Sequence, residues 1–342
     1  VPSYHLPQAV SFKKVLSDGQ KAPFQPVDVQ GHQIAFLQYT GGTTGVSKGA
    51  VLTHRNILAC VEQISIFVRA ELKERDEVVI TPLPLYHVFS LVVNLMTMIK
   101  IGAKSVLITN PRDIPGFVKE LRKHRFTLIT GVNTLFKMLL EDPGFADLDF
   151  SRLKISLGGG AALQASVAEQ WEAVTGNPLA EGYGLTETCS AVACNVPEGT
   201  RRVGSVGIPI PSTIVKVVDD HNQEVPHGTP GELLVKGPQV MQGYWRQPQE
   251  TAQAFEDGWL RTGDVAVIDA DGIITIVDRK KSMINISGFN VYPNEIEAVV
   301  SSHPQVLEVG AVGILDKDAK EAIKLFVVKK DPSLTEEALI TY

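Results

Sequence analysis

Leu37-Gln-Tyr-Thr-Gly-Gly-Thr-Thr-Gly-Val-Ser-Lys-Gly-Ala-Val-Leu-Thr-His54 decides how this chain is read. An apolar run over 34–37 leads into it and reads as a short strand. From Thr40 to Lys48 there are three glycines, three threonines, a serine and a lysine. Glycines let the backbone turn tightly and bring N–H groups close to a ligand. The hydroxyls add donors and Lys48 adds a point charge, a combination that suits a polyphosphate. A flexible surface loop shares the composition, so the order of the residues has to carry the argument. It is not a Walker A loop, which needs Gly-Lys-Ser/Thr, because Lys48 follows Ser47 and precedes Gly49.

Downstream, Thr53 is placed to cap a helix whose apolar residues Ile57, Leu58, Val61, Ile64 and Val68 recur at helical spacing. A strand over 78–80 follows. Pro82 and Pro84 force an extended exit, which leaves Tyr86, His87 and Phe89 at a strand end, where open α/β sheets bind ligands. A lone histidine is more often a satisfied core group than a site residue. The pattern then runs strand 103–108, helix 115–125, strand 127–131, helix 134–141, strand 154–157 and helix 165–174, closed by Gly176. Alternation of this kind predicts a largely parallel sheet with helices on both faces. Leu157-Gly-Gly-Gly-Ala-Ala162 ends the last of these strands. It can admit a flat ligand against bare backbone, or simply turn. In Glu181-Gly-Tyr-Gly-Leu-Thr-Glu-Thr188, Tyr183 offers an aromatic face between Gly182 and Gly184. Thr186 and Glu187 add a hydroxyl and a carboxylate that fit a phosphate–Mg²⁺ pair.

The texture changes near Arg201. Short strands over 214–218, 232–236, 265–268 and 273–277 predict a small β-barrel or sandwich, with a hairpin turn at 269–272. Asp257-Gly-Trp-Leu-Arg-Thr-Gly-Asp264 lies inside it and Asp278-Arg-Lys-Lys281 closes it. Asp264 and Arg279 could each be a surface residue; together they match the two hydroxyls of a ribose. Beyond Lys281, a helix over 294–302, strands over 307–314 and 323–330, and a helix opened by Thr335 start a small α+β unit. The expected division is 1–200 (an α/β part, with 1–33 as a connector), 201–281 (the β part) and 282–342 (an incomplete α+β domain).

The net charge of −6 gives no reason to expect nucleic acid. Cys60, Cys189 and Cys194 form neither a ligand spacing nor a disulfide framework, and read as reduced thiols of a cytoplasmic protein. No structural metal is expected. The longest apolar tract, 88–101, is too short and too polar to span a bilayer. A peripheral contact at the inner face of the membrane and a homodimer both stay open. The chain opens without Met on Val1-Pro-Ser-Tyr-His5 and stops in what reads as a capped helix, so a piece of a longer protein is expected.

The string Tyr39-Thr-Gly-Gly-Thr-Thr-Gly-x-x-Lys-Gly49 resembles the phosphate loop of the adenylate-forming superfamily of acyl-CoA synthetases, luciferases and adenylation domains. The Gly-Gly-Gly-Ala turn, Tyr-Gly-x-Thr-Glu, Thr-Gly-Asp and Asp-Arg-x-Lys follow in that superfamily's order. Leu83-Pro-Leu-Tyr-His-Val-Phe89, Gly131-Val-Asn-Thr-Leu-Phe136 and Ser287-Gly-Phe-Asn-Val-Tyr-Pro293 look most like bacterial long-chain fatty acid–CoA ligases. The resemblance implies two half-reactions: fatty acid and ATP give acyl-adenylate, and coenzyme A then displaces AMP.

By the same resemblance, Thr40, Gly41, Gly42, Thr43, Thr44, Gly45 and Lys48 would hold the β- and γ-phosphates. Gly158, Gly159, Gly160, Ala161, Gly182, Tyr183 and Gly184 would form the adenine slot. Thr186 would meet the α-phosphate, and Glu187, with Thr43, the Mg²⁺. Asp264 and Arg279 would bind the ribose. His87 would line the acyl carboxylate site, with Leu91, Val92, Leu95 and 131–140 around the tail. Lys281 would be a hinge and Gly288 would flank the thiol channel. Ser282 departs from the Asp common in close relatives. The family's catalytic lysine, in a C-terminal Pro-x-[Thr/Ser]-x-x-Gly-Lys segment, is not among these residues, so the chain alone is expected to be nearly inert in adenylation. A medium-chain or aryl acid ligase, and a nucleotide-binding module without turnover, are the alternatives. An amino acid substrate would call for an acidic partner near His87, and none is evident.

Overall fold

A computed structural model describes residues 7–40, 47–195, 202–286, 289–315 and 321–342. The chain opens with helix α1 (Phe12–Lys21), exposed along its whole length, and an antiparallel pair, β1 (Ile34–Thr40) and β2 (Lys48–Thr53). The segment expected to be a plain connector thus carries a helix, because Phe12, Val15 and Leu16 fall at helical spacing. Thr53 caps α2 (His54–Phe67) in a reciprocal box: Asn56 N–H donates to Thr53 Oγ1 at 3.2 Å, and Thr53 N–H to Asn56 Oδ1 at 3.0 Å.

Next come β3 (Val78–Thr81), a π-helix (Ser90–Thr97) running into α3 (Met98–Ile101), and β4 (Lys104–Leu107). They are followed by α4 (Ile114–Leu121), β5 (Leu128–Gly131), α5 (Asn133–Glu141), β6 (Ile155–Gly159), α6 (Ala165–Thr175) and β7 (Leu179–Tyr183). Two short strands, β8 (Ala193–Cys194) and β9 (Ile208–Pro209), complete a seven-stranded sheet ordered β4-β3-β5-β6-β7-β8-β9. Strands β3 to β7 pair in parallel, and β8 and β9 add antiparallel at the edge.

Both faces of this sheet are covered, so its strands are apolar at successive residues. Side chains alternate between the faces. Ile80 and Ile129 point to the core built with Phe117, Phe136, Leu139 and Trp171 from α4, α5 and α6. Val79, Leu128 and Ile155 point the other way, toward Met98 and the π-helix side. Trp171 is fully buried, donates from Nε1 to Ser156 Oγ at 2.9 Å and meets Phe136 edge-on at 4.8 Å between ring centres.

A five-stranded antiparallel sheet comes next, built from β10 (Ile214–Val218), β11 (Gly231–Lys236), β12 (Phe255–Glu256), β13 (Trp259–Ile268) and β14 (Ile274–Arg279), with α7 (Pro248–Ala254) before β12. Strand β13 starts six residues earlier than the expected 265–268, and Thr262-Gly-Asp264 lies within it. Gly263, with φ of +69°, sits where the register with β11 jumps and forms a bulge. The bulge aims Asp264 inward, to 2% exposure.

After a short turn (Lys280–Ser282) the chain forms β15 (Ile284–Ile286), β16 (Phe289–Val291), α8 (Pro293–Ser301), β17 (Val306–Leu315), β18 (Glu321–Lys329) and α9 (Glu336–Thr341). This part is tied back by Asp278 on β14, which is 4% exposed. One of its oxygens accepts from Arg279 N–H at 2.6 Å and the other from Asn294 N–H, in the first turn of α8, at 3.0 Å. Among the described residues no helix is long and apolar enough to cross a membrane.

Asn56 does more than complete its cap. Its amide also donates to the carbonyls of Pro238 and Val240 at 2.8 and 2.9 Å, joining α2 to the loop after β11. Asn56→Ala removes the reciprocal half of the capping box and strands two carbonyls; it should destabilise the chain by about 2–4 kcal/mol. A denaturant midpoint unchanged from wild type would refute that role.

Candidate active site

A cavity of about 800 Å³ opens at the carboxyl ends of β6 and β7 and extends between the sheet and the α2–π-helix layer. The volume lies within the range of small-molecule and cofactor sites. Its outer part is polar. Thr40 ends β1 there, and its hydroxyl donates to the Lys48 carbonyl at 3.4 Å. Lys48 at the start of β2 forms an ion pair with Glu250 on α7. Gly41, Gly42, Thr43, Thr44 and Gly45, and likewise Gly288, lie outside the described residues.

Gly159, Gly160, Gly182, Tyr183 and Gly184 line the cavity. Gly158 and Ala161 do not, because strand alternation turns Gly158 to the opposite face. A Cβ there would lie 2.6 Å from Leu163 in the core under α6. Gly184 admits no side chain at all: a Cβ would sit 1.6 Å from the Ser190 carbonyl oxygen. That close approach folds the turn so that Thr186 and Glu187 face the cavity.

Tyr183 contributes more than a ring. Its hydroxyl donates to Asp264 Oδ2 at 2.5 Å, and Arg279 Nε donates to Oδ1 of the same carboxylate at 2.7 Å. Asp264 and Arg279 are direct partners across β13 and β14. Burial pushes the Asp264 carboxyl up from its ordinary value, against the pull of Arg279 and the Tyr183 hydroxyl. Arg279 and Thr262 reach the cavity wall, with Asp264 buried behind them. Lys281, in the turn after β14, also lines the cavity. Its neighbour Lys280 is anchored to Asp220 at 2.8 Å and to the buried Glu232 at 3.3 Å.

Glu187 lies at the polar, outer part of the cavity. Its Oε1 accepts from the Tyr244 hydroxyl at 2.6 Å, and its Oε2 has no hydrogen-bond partner among the described residues. Among those residues no three His, Cys, Asp or Glu gather into a metal cage. A single carboxylate with one open oxygen fits Mg²⁺, which is usually held by one or two carboxylates plus substrate phosphates. Tyr244 and Glu250 carried no sequence signal, since about two hundred residues separate Glu250 from Lys48.

His87 is exposed at the cavity, and its Nδ1 accepts from Phe89 N–H at 3.3 Å. It is not a buried core histidine. The inner part of the cavity is apolar, but its walls differ from those expected. Leu91, Val92, Leu95 and 131–140 do not line it. Val92 is fully buried in the layer between α2 and the π-helix, and Leu135, Phe136 and Leu139 belong to the opposite face of the sheet. The walls are Phe89, Val93 and Met98 along the π-helix, Ile64, Phe67 and Val68 on α2, and Leu128, Ile155 and Leu157 on the sheet. The i→i+5 bonding of a π-helix widens its turn, so residues four and five apart share a face. Cys194 also lines this space, and burial pushes its thiol up to about 12.

A family model described as AMP-binding enzyme matches residues 3–245, and one described as AMP-binding enzyme C-terminal domain matches 295–342. A protein of Escherichia coli O6:H1 named long-chain-fatty-acid–CoA ligase is 56% identical over all 342 residues. One of the same name from Bacillus subtilis (strain 168) is 41% identical over 302 residues, 87% of this chain. The chain spans 61% of the first relative's length and 53% of the second's. The crystal structure of ATP-bound MatB from Rhodopseudomonas palustris superposes with a TM-score of 0.87 at 31% identity, over 96% of this chain and 65% of that one.

On the sheet face away from the cavity, Glu181 stands beside Gly158 and accepts from Leu163 N–H at 3.3 Å. Burial pushes its carboxyl from 4.5 up to about 7. Between these values the folded chain keeps a proton that the unfolded chain has released. The stability this group contributes is therefore complete below pH 4.5 and lost as pH rises through about 7. Glu181→Gln should leave stability at pH 4 unchanged and raise it at pH 8 by up to about 3 kcal/mol. Parallel stability–pH curves for the two proteins would contradict the assignment.

Proposed function

The chain belongs to the AMP-binding enzyme family, and we propose that its activity is that of a long-chain fatty acid–CoA ligase. A carboxylate oxygen of the fatty acid attacks the α-phosphorus of ATP, and pyrophosphate leaves. The thiol of coenzyme A then attacks the acyl carbonyl, AMP leaves and the thiol proton is released. The observation that carries the reading is one continuous cavity with a polar, phosphate-suited end and an apolar arm. Relatives named as such ligases, at up to 56% identity among those compared, support it.

In this reading the adenine lies against Tyr183, between Gly159–Gly160 and Gly182–Gly184. Arg279 meets the ribose with Asp264 behind it. Thr186 stands at the α-phosphate and Lys48 at the outer phosphates. Mg²⁺, bound at Glu187, would neutralise charge on the phosphates. His87 lies where the substrate carboxylate enters, and Lys281 where the small C-terminal part pivots. The three cysteines, all free, suit a reducing, cytoplasmic setting.

The arm suits a tail rather than a ring. Ile155 and Leu157 mark about 7 Å of its sheet wall, at the usual rise of a strand, and Val93 and Met98 carry the opposite wall. Each CH₂ it buries contributes roughly 0.8 kcal/mol, so depth is converted into chain-length preference. The test is acid-dependent pyrophosphate release by the whole-length protein with palmitate, octanoate, ferulate and an amino acid. Palmitate should be preferred. Val93→Trp, which fills the arm, should lower the palmitate-to-octanoate ratio by roughly tenfold or more. Preference for ferulate, or a ratio unmoved by Val93→Trp, would overturn the reading.

A further inference from the structure

The loop and helix after β11 join the phosphate end through side chains that no sequence motif marks. Tyr244 stands at their centre. Its hydroxyl donates to Glu187 Oε1 at 2.6 Å, and its ring centre lies 5.3 Å from the Lys48 ammonium. The Lys48 ammonium is in turn paired with Glu250, six residues further along.

Tyr244 is itself held firmly. Its N–H donates to Thr251 Oγ1 at 2.9 Å. On either side of it, Trp245 N–H donates to the Gly49 carbonyl at 2.7 Å and Val51 N–H to the Gly243 carbonyl at 2.9 Å. Met241 N–H donates to the Glu187 carbonyl at 2.8 Å, so one loop fixes both the backbone and the side chain of Glu187. The chain passes so close to α7 that a Cβ at Gly243 would lie 2.5 Å from Thr251 Cγ2. The phenol therefore sits on a rigid base and reaches two charged groups from different strands.

We propose that Tyr244 is a positioning residue for the metal and phosphate end of the site. Its hydroxyl holds Glu187 by one oxygen and turns the other toward Mg²⁺, while its ring and Glu250 keep Lys48 beside the phosphates. The proposal rests on the nucleotide reading above. A glutamate without such an anchor must give up several rotors when it binds the cation; here that ordering is built in before the ligand arrives.

The test measures binding to the chain by calorimetry under three conditions: ATP with excess Mg²⁺, ATP with EDTA, and AMP with EDTA. Tyr244→Phe keeps the ring and removes only the donor. It should weaken Mg·ATP about tenfold, in keeping with a hydrogen bond to a charged group, and change the two metal-free affinities less than twofold. In a Glu187→Gln background the same substitution should add nothing further, because the two act as a unit. Thr251→Val, which loosens Tyr244 without touching Glu187, should shift Mg·ATP alone, and by less. It serves as a second test if Tyr244→Phe folds poorly. Equal losses for Mg·ATP and AMP would reduce Tyr244 to a packing role, and unchanged Mg·ATP affinity would remove it from the site. Wild-type chain that binds no AMP would instead sink the nucleotide reading itself, and this proposal with it.

Discussion

The carboxylate of Asp264 is the group on which the site hangs. It is almost fully buried, and its two oxygens are taken by Tyr183 and Arg279. Tyr183 closes the last parallel strand of the α/β sheet, Asp264 sits at the bulge of β13, and Arg279 ends β14. Three parts of the chain thus meet at one anion. A buried charge costs several kcal/mol unless it is paired and hydrogen-bonded, so the three cannot drift apart independently. Losing either partner would leave the carboxylate stranded, and the wall of the cavity would move with it.

The seven-stranded sheet divides labour between its faces. One face carries the aromatic core under α4, α5 and α6, with Trp171 and Phe136 locked edge to face. The other face is left partly open, and the space between it and the α2–π-helix layer is the cavity. Strand alternation makes both outcomes available to one stretch: Ser156 and Gly158 serve the core while Ile155, Leu157 and Gly159 serve the cavity. A well-packed side supports an incompletely filled one, which is how a protein keeps a ligand space without losing its fold.

Much of this was legible in the residues. Strand–helix alternation gave the parallel sheet, and glycine clusters at strand ends marked the ligand side, because both signals are local. The cap at Thr53 was readable because Ser/Thr chemistry acts within one turn. What sequence could not supply was direction. Residues that follow His87 in order were expected around the tail. A widened helical turn instead selects Val93 and Met98, and distant Ile64 and Phe67 join them. Gly158 was grouped with its neighbours although alternation sends it to the other face. Lys48 meeting Glu250, and Tyr244 meeting Glu187, depend on a loop folding back over β2. No spacing in the sequence encodes that meeting. Asp264 could be read as a surface residue because nothing in the residues around it announces the bulge at Gly263 that turns it inward.

Asp278 bears on cohesion rather than on the cavity itself. It joins β14 to the first turn of α8 across the turn at Lys280–Ser282, with one oxygen on each side. Separating α8 from β14 would have to break the bond to Asn294 while the carboxylate is still buried. Losing a charged hydrogen bond in that setting costs about 1.5–3 kcal/mol, equivalent to one to two orders of magnitude in a rate. The bond is one of several that resist separation, beside Asn294 Nδ2 donating to the Val277 carbonyl at 3.3 Å and Lys137 Nζ to the Leu307 carbonyl at 3.0 Å. Weakening it would lower the cost of separating α8 from β14 while leaving the residues at the carboxyl ends of β6 and β7 as they are.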